Sequence, residues 1–408
     1  MRTGAAPPAD RLGTFVAART DASAQMFGAE ADRLARLCHR MAERFARGGR
    51  LVAFGASAAD RSDVRHVAVE FVHPVIVGKR ALPALGIEPG EVALLTRPED
   101  IAIAFGAGPA VAAAVAAARG RGCLTLAFAP VGAEWELPPP TGDPLVAQEL
   151  VETTYHVLWE LVHVFFEHRG LLAGRDTRET HDAGASSFLY PFLAEEETDL
   201  DAVLADVRAS IAAKADETAQ LRAQTVHDGG AALDAAAAAL RARLDAGGAV
   251  LALGNGGSAT DAMDAVADLR TPPAMPRPGA SWPARRALDL TADPAILTAI
   301  ANDVGTEAIF ARQVIAYGGE HDALLALSTS GNSTNVIAAL AEARRRGLAT
   351  VAFVGYDGGR IAGERLADHV VVTRSEHIPR IQEAQATAWH VLRELIEEPL
   401  STAAGKRR

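Results

Sequence analysis

Two short segments carry the residue types that a phosphate ester needs. The first is Gly254-Asn255-Gly256-Gly257-Ser258, directly after the apolar run 250–253 and ahead of a helix predicted from about Thr260. Glycines let backbone N–H groups approach a ligand closely, and a helix N-terminus favours an anion. The second is Ser328-Thr329-Ser330-Gly331-Asn332-Ser333-Thr334, again between an apolar run and a predicted helix. Five of its seven residues carry hydroxyls, which donate to phosphate oxygens. If the two apolar runs are parallel strands, both turns lie at strand C-termini, where open α/β sheets bind ligands.

The elements that must position these turns come in two sets, because the chain is a diverged duplication. Residues 111–128 match 336–353 at 11 of 18 positions, and 148–161 match 382–395 at 8 of 14. The segment Gly48–Gly55 lies against Gly247–Gly254, so three matches fall in the same order. Each unit reads as a helix (29–46; 231–246) stopped by Gly-Gly, a short apolar strand, a Gly-rich turn, further alternating helices and strands, and a long closing helix. Short apolar strands alternating with helices predict a parallel sheet covered on both faces. The expected architecture is two tandem three-layer α/β/α domains, 20–170 and 206–400, joined by a linker over 171–205. That linker carries the apolar stretch 186–193 and the acidic run Glu195-Glu196-Glu197.

Composition narrows the function classes. The chain has 408 residues, 49% of them hydrophobic, which is enough for sizeable cores. Its net charge of −11 argues against a nucleic-acid partner. No run of 18 apolar residues exists and residues 1–10 lack an apolar leader core, so neither a membrane span nor a secretory signal is expected. The two cysteines, Cys38 and Cys123, have no metal-ligand spacing and suit a reducing cytoplasm.

The combination of GNGGS, STSGNS, Ala301-Asn302-Asp303 and Arg380-Ile381-Gln382-Glu383 resembles the sedoheptulose 7-phosphate isomerases (phosphoheptose isomerases) of the SIS, or sugar isomerase, family. The resemblance covers about 225–398. It implies a five-stranded parallel sheet, a homo-oligomer (here a dimer of tandem chains) and a sugar-phosphate ligand. It implies phosphosugar binding by Asn255, Gly256, Gly257, Ser258, Asp293, Ser328, Thr329, Ser330 and Ser333. A non-enzymatic relative, the protein that associates with the bacterial replication initiator DnaA, shares many of these motifs. The resemblance therefore leaves two readings: an aldose–ketose isomerase working through an enediol, or a phosphosugar sensor or adaptor.

In the phosphoheptose isomerases, the helix after GNGGS carries a His and a Glu four apart, and the last helix a Gln and a His eight apart. In many members the four hold zinc, and the Glu and last His do acid–base work. Carried onto the second unit, the first pair becomes Asp264 and Asp268, while Gln382 and His390 are intact. Pro272 stands where the family has an arginine. Carried onto the first unit, with Asp63 aligned to Asp261, the full set is present: His66, Glu70, Gln148 and His156. The first unit's turns have decayed instead, to Gly55-Ala56-Ser57-Ala58-Ala59 and Phe105-Gly106-Ala107-Gly108-Pro109. Each unit thus keeps what the other has lost. The expectation is a composite site: phosphate on the second unit, with Glu70 as base, His156 as acid and zinc on His66, Glu70, Gln148 and His156. The alternative is chemistry in the second unit, with Asp268 and His390 acting and Asp264, Asp268, Gln382 and His390 as ligands.

Overall fold

The computed structural model describes residues 8–75, 79–167, 199–275 and 281–397. The apolar stretch and acidic run of the linker lie outside the described residues.

The first unit runs α1 (Pro8–Ala46), β1 (Leu51–Gly55), α2 (Ala58–Val72), β2 (Ala84–Ile87), α3 (Val92–Leu95), β3 (Ile101–Phe105), α4 (Pro109–Gly120), β4 (Leu124–Ala127), β5 (Trp135–Glu136) and α5 (Pro144–Glu167). The second runs α6 (Leu200–Asp245), β6 (Val250–Leu253), α7 (Gly257–Arg270), β7 (Ala287–Asp289), α8 (Pro294–Asp303), α9 (Ile309–Tyr317), β8 (Ala323–Ser328), α10 (Thr334–Arg345), β9 (Ala349–Gly355), α11 (Gly359–Gly363), β10 (His369–Thr373) and α12 (Ile378–Glu397). Each unit forms a five-stranded sheet, ordered β2-β1-β3-β4-β5 and β7-β6-β8-β9-β10. Every pairing is parallel. Both sheets follow one topology, as two copies of one unit must. The central strands are buried along their whole length, so continuous apolar runs rather than alternating ones encode them.

The two opening helices are much longer than the predicted 29–46 and 231–246. Apolar and small residues at Val203, Val207, Ile211, Ala215, Thr218, Leu221 and Thr225 recur every three or four positions and make one buried stripe. Reading the repeat from its Gly-Gly end outward misses this extension. Gly48 and Gly247, both with φ of +85°, end these helices in the left-handed conformation.

The extensions are exchanged between units. Val203, Val207, Ile211 and Ala215 of α6 pack into the core of the first unit. Phe15 of α1 packs into the core of the second. Helices α2 and α7, which follow the two Gly-rich turns, also pack against each other. The closing helices α5 and α12 meet across the same seam. The helices that carry His66, Glu70, His156, Asp264, Asp268, Gln382 and His390 therefore converge on one seam between the units.

Candidate active site at the seam between the units

The four helices bring together two buried clusters. In the first, His66 and Glu70 on α2 lie one turn apart, with His66 Nε2 3.8 Å from Glu70 Oε1. His156 on α5 turns its Nε2 to within 3.4 Å of His66 Nε2. The fourth member is Gln382 of α12, whose side-chain amide lies 3.2 Å from His66 Nε2. This corrects the expected set. The glutamine at His66 comes from the second unit, and the half-buried Gln148 is not the residue placed there. The reason is the antiparallel meeting of α5 and α12: each glutamine stands eight residues from its own histidine, more than two turns away along the helix.

The second cluster is Asp264 and Asp268 on α7 with His390 on α12. His390 Nε2 lies 3.8 Å from Asp264 Oδ2 and 3.6 Å from Asp268 Oδ2. Gln382 belongs to the His66 cluster, so the alternative ligand set is split as well. This second cluster is tied inward. Trp389 donates its indole N–H to Asp268 Oδ2 at 2.9 Å. His390 Nδ1 pairs with Glu149 Oε1 at 2.8 Å, and the same oxygen accepts from Arg19 Nε at 2.8 Å. Burial alone would lower the His390 imidazole, but Asp264, Glu149 and Asp268 together push it up to about 10. These carboxylates favour the charged imidazole, while its Nε2, like Glu70 Oε2, makes no hydrogen bond.

The first cluster has the opposite electrostatics. Burial, then the neighbouring His156, lowers His66 well below the ordinary imidazole range. Burial pushes the Glu70 carboxyl up to about 7, against the opposing pull of His156. A carboxyl that titrates near neutrality can both take and return a proton. Asp268 is also raised to about 7 by burial and Asp264, but one of its oxygens is held by Trp389. Glu70 Oε2 and Gln382 Oε1 are buried without a hydrogen-bond partner. Unpaired buried acceptors are costly unless something completes them.

The glycine-rich and hydroxyl-rich turns lie at the C-terminal ends of β6 and β8 and lead into α7 and α10. Neither α7 nor α10 is capped by a side chain: Gly256 stands at one N-cap, and the Ser333 hydroxyl makes no cap bond at the other. Part of each first turn is engaged within the chain, Ser258 N and Ala259 N by the Asn255 and Gly256 carbonyls and Val336 N by Asn335 Oδ1, and the dipole at both helix ends still favours an anion. Ser328 Oγ and Ser333 Oγ lie 3.3 Å apart across the second turn. Asn255 and Asn335 clamp the two turns together by a reciprocal amide pair, 2.9 Å in each direction. Asn335 follows the hydroxyl-rich motif by one residue and was not singled out from sequence. Asp293 is exposed and caps α8 through Ala295 N and Ile296 N.

The first unit's turn is occupied by its own chain. Ser57 caps α2, and Asp60 Oδ2 accepts from Ala56 N at 3.1 Å and Ser57 N at 2.8 Å. A Cβ at Gly106, in the counterpart of the hydroxyl-rich turn, would collide with the same carboxylate. The intramolecular carboxylate therefore takes the N–H groups that the second unit leaves open.

The two surviving halves meet at Gly257. A Cβ built there would collide with the Gln382 amide and fall 2.9 Å from His66 Nε2. The phosphate turn of the second unit is thus in direct contact with the histidine cluster of the first. Gly257→Ala is expected to force Gln382 and His66 apart and to reduce turnover of a sugar phosphate by at least about tenfold, since sub-ångström misplacement near reacting groups is costly. Steady-state kinetics that match the parent chain would show that this contact does not position the site.

Several partners here escape motif reading. Glu383 accepts at Oε1 from His156 Nδ1 at 3.1 Å and at Oε2 from Thr218 at 2.7 Å. Glu149 and Glu383 are the two copies of one repeat position, and the shared Gln-Glu pairs at 148–149 and 382–383 were the available signal. No comparable signal marks Arg19, which arrives on the exchanged arm of α1.

A model of the SIS domain matches residues 215–355. The phosphoheptose isomerase of Pelodictyon phaeoclathratiforme is 43% identical over 184 residues, 45% of this chain and 85% of that enzyme. That of Solidesulfovibrio magneticus is 39% identical over 193 residues, 47% of this chain and 91% of that enzyme. Over the full tandem length, the C-terminal domain of glucosamine-fructose-6-phosphate aminotransferase from Francisella tularensis superposes with a TM-score of 0.59, covering 97% of each chain at 9% identity. That last likeness is one of fold. The chain belongs to the SIS domain family, among relatives of the phosphoheptose isomerases.

Proposed function

We propose that the chain is an aldose–ketose isomerase for sedoheptulose 7-phosphate or a similar sugar phosphate, working at one composite site between its two domains, 20–170 and 206–400. The observation that carries this reading is the contact of Gly257 with His66 and Gln382, which joins a phosphate cradle to an acid–base cluster. The names of the relatives support the substrate class.

The cradle would hold the phosphate on Ser258, Ser328, Thr329, Ser330 and Ser333, with the uncapped N-termini of α7 and α10 behind them. Glu70 would take the proton from the carbon beside the carbonyl. The C–H electron pair moves into an enediolate, and the same carboxyl returns the proton to the neighbouring carbon. With its Nδ1 side oriented by Glu383, His156 would use Nε2 either to pass a proton to the substrate oxygens in the metal-free site or to hold zinc, in which case that nitrogen carries no proton. His66, Glu70 and His156 present ligand atoms that all lie within 4.8 Å of one another. With the unpaired Gln382 Oε1 and Glu70 Oε2, they fit zinc, which has taste for nitrogen and oxygen donors. Bound there, zinc would supply Lewis acidity toward the substrate oxygens. The second cluster, locked by Glu149 and Trp389, would be structural.

The adaptor reading draws on the replaced Asp264 and Asp268, which leave one of two sites without the family's residues. Incubation with sedoheptulose 7-phosphate, with and without zinc, followed by phosphosugar analysis, separates the two. An isomeric product is expected; binding without product would favour the adaptor. In either case the double change Ser330→Ala and Ser333→Ala is expected to weaken sugar-phosphate binding by about 1–3 kcal/mol, the scale of lost charge-assisted hydrogen bonds. Calorimetry showing unchanged affinity would remove the phosphate from this turn.

A further inference from the structure

The position just before the closing-helix histidine is filled differently in the two units. In the second it is Trp389, which ties Asp268 down. In the first it is Tyr155, a fully enclosed side chain whose hydroxyl lies 2.9 Å from His66 Nδ1. Asp63 of α2 stands beside this hydroxyl: burial, Asp264 and Asp60 raise its carboxyl well above the usual range, and Tyr155 opposes that rise. A line of polar atoms therefore runs Asp63–Tyr155–His66 and ends at the imidazole nitrogen that faces His156 and Gln382. Tyr155 is not among the motif residues that relate the chain to its family.

We propose that Tyr155, backed by Asp63, is a positioning residue that fixes the tautomer and ring orientation of His66. The inference rests on the composite-site reading for its consequence, not for its geometry. An imidazole can offer a lone pair at Nε2 only if its proton resides on Nδ1. With the Tyr155 hydroxyl proton directed at the Asp63 carboxyl, the phenol oxygen can accept from His66 Nδ1–H. The Nε2 lone pair then points at the cluster. Asp261 Oδ1, 3.5 Å from the same Nδ1, favours the same tautomer. Ligand histidines are commonly held in this way by a partner on the far nitrogen, and removal of that partner lowers metal affinity about 10–100-fold.

The test uses the full-length chain and Tyr155→Phe, which keeps the ring and removes only the hydroxyl. In the metal-free protein, nitrogen-15 NMR of the histidines is expected to show His66 protonated on Nδ1, and a mixture of tautomers in the variant. Zinc affinity, measured by competition with a chromogenic chelator, is expected to fall about 10–100-fold. With sedoheptulose 7-phosphate, kcat is expected to fall while KM stays within about twofold, because Tyr155 does not touch the phosphate turns. Asp63→Asn, which retains an acceptor, is expected to show the same changes in weaker form. A His66 protonated on Nε2 in the parent chain would overturn the proposal, whether or not the protein proves to be an isomerase. So would zinc affinity and tautomer left unchanged in a Tyr155→Phe protein that unfolds at the parent's denaturant midpoint. If no sugar phosphate is turned over, the function reading fails while the tautomer and zinc results still decide this one.

Discussion

Glu70→Gln is expected to lower kcat for sugar-phosphate isomerisation by about 10²–10⁴-fold, the usual range for loss of a general base. The substitution keeps the size of the side chain and removes only its ability to accept a proton. Because the phosphate turns belong to the other unit, sugar-phosphate affinity should stay within a few-fold of the parent. The matching control is Asp268→Asn. Asp268 has a similarly raised carboxyl, but its Oδ2 is engaged by Trp389 and it faces His390. That variant should keep turnover within about threefold. The two sets of kinetics decide between the clusters. If Asp268→Asn abolishes turnover and Glu70→Gln does not, the chemistry belongs to the second cluster, and the composite site is wrong.

Glu149→Ala is expected to produce the largest loss of stability, about 3–5 kcal/mol, as seen when one partner of a buried ionic network is removed. Glu149 is fully enclosed and serves four groups. Arg19 Nε and His390 Nδ1 each lie 2.8 Å from Oε1, while Thr387 Oγ1 donates to Oε2 at 2.5 Å and Arg222 Nε stands 3.8 Å from it. Burial would raise its carboxyl, but Arg19, His390 and Arg222 hold it far below the usual range. Its removal leaves Arg19 with Glu394, and His390 with Asp264 and Asp268, as their remaining ionic partners in the seam. Chemical denaturation should show the loss, and Glu149→Gln, which keeps the shape and an acceptor, should lose less. A cost below about 1 kcal/mol for the alanine variant would mean that water enters the seam and solvates the cations. Glu149 would then not be the anchor of the second cluster.

Much of the fold was legible because the repeat is. Continuous apolar runs, Gly-Gly helix stops and matched segments at 111–128 and 336–353 predict two parallel sheets. The two turns at the ends of β6 and β8 were legible because glycine and hydroxyl residues between an apolar run and a helix mark a tight strand–helix turn. Which glutamine joins which histidine was not legible. Gln148 and Gln382 are identical in type and local context, and only the packing of α5 against α12 puts Gln382 at His66. Arg19 was hidden for a related reason: it reaches Glu149 only because the first turns of α1 cross to the other unit. Asp60 was hidden by its ordinariness, since an acid three residues after a serine is a common helix cap.

The joining of two units in one chain also has a consequence for how this site can change over time. In a dimer of identical subunits, each substitution is written into both copies of the seam, so a change that improves one role of a position is imposed on the other. Here every position occurs once. Aspartate at 264 and 268 could tighten a buried strut without touching His66 and Glu70, and Asp60 could close one phosphate turn while the other stayed open. Duplication followed by fusion releases the two clusters from a shared sequence, so each can take substitutions that leave the other untouched.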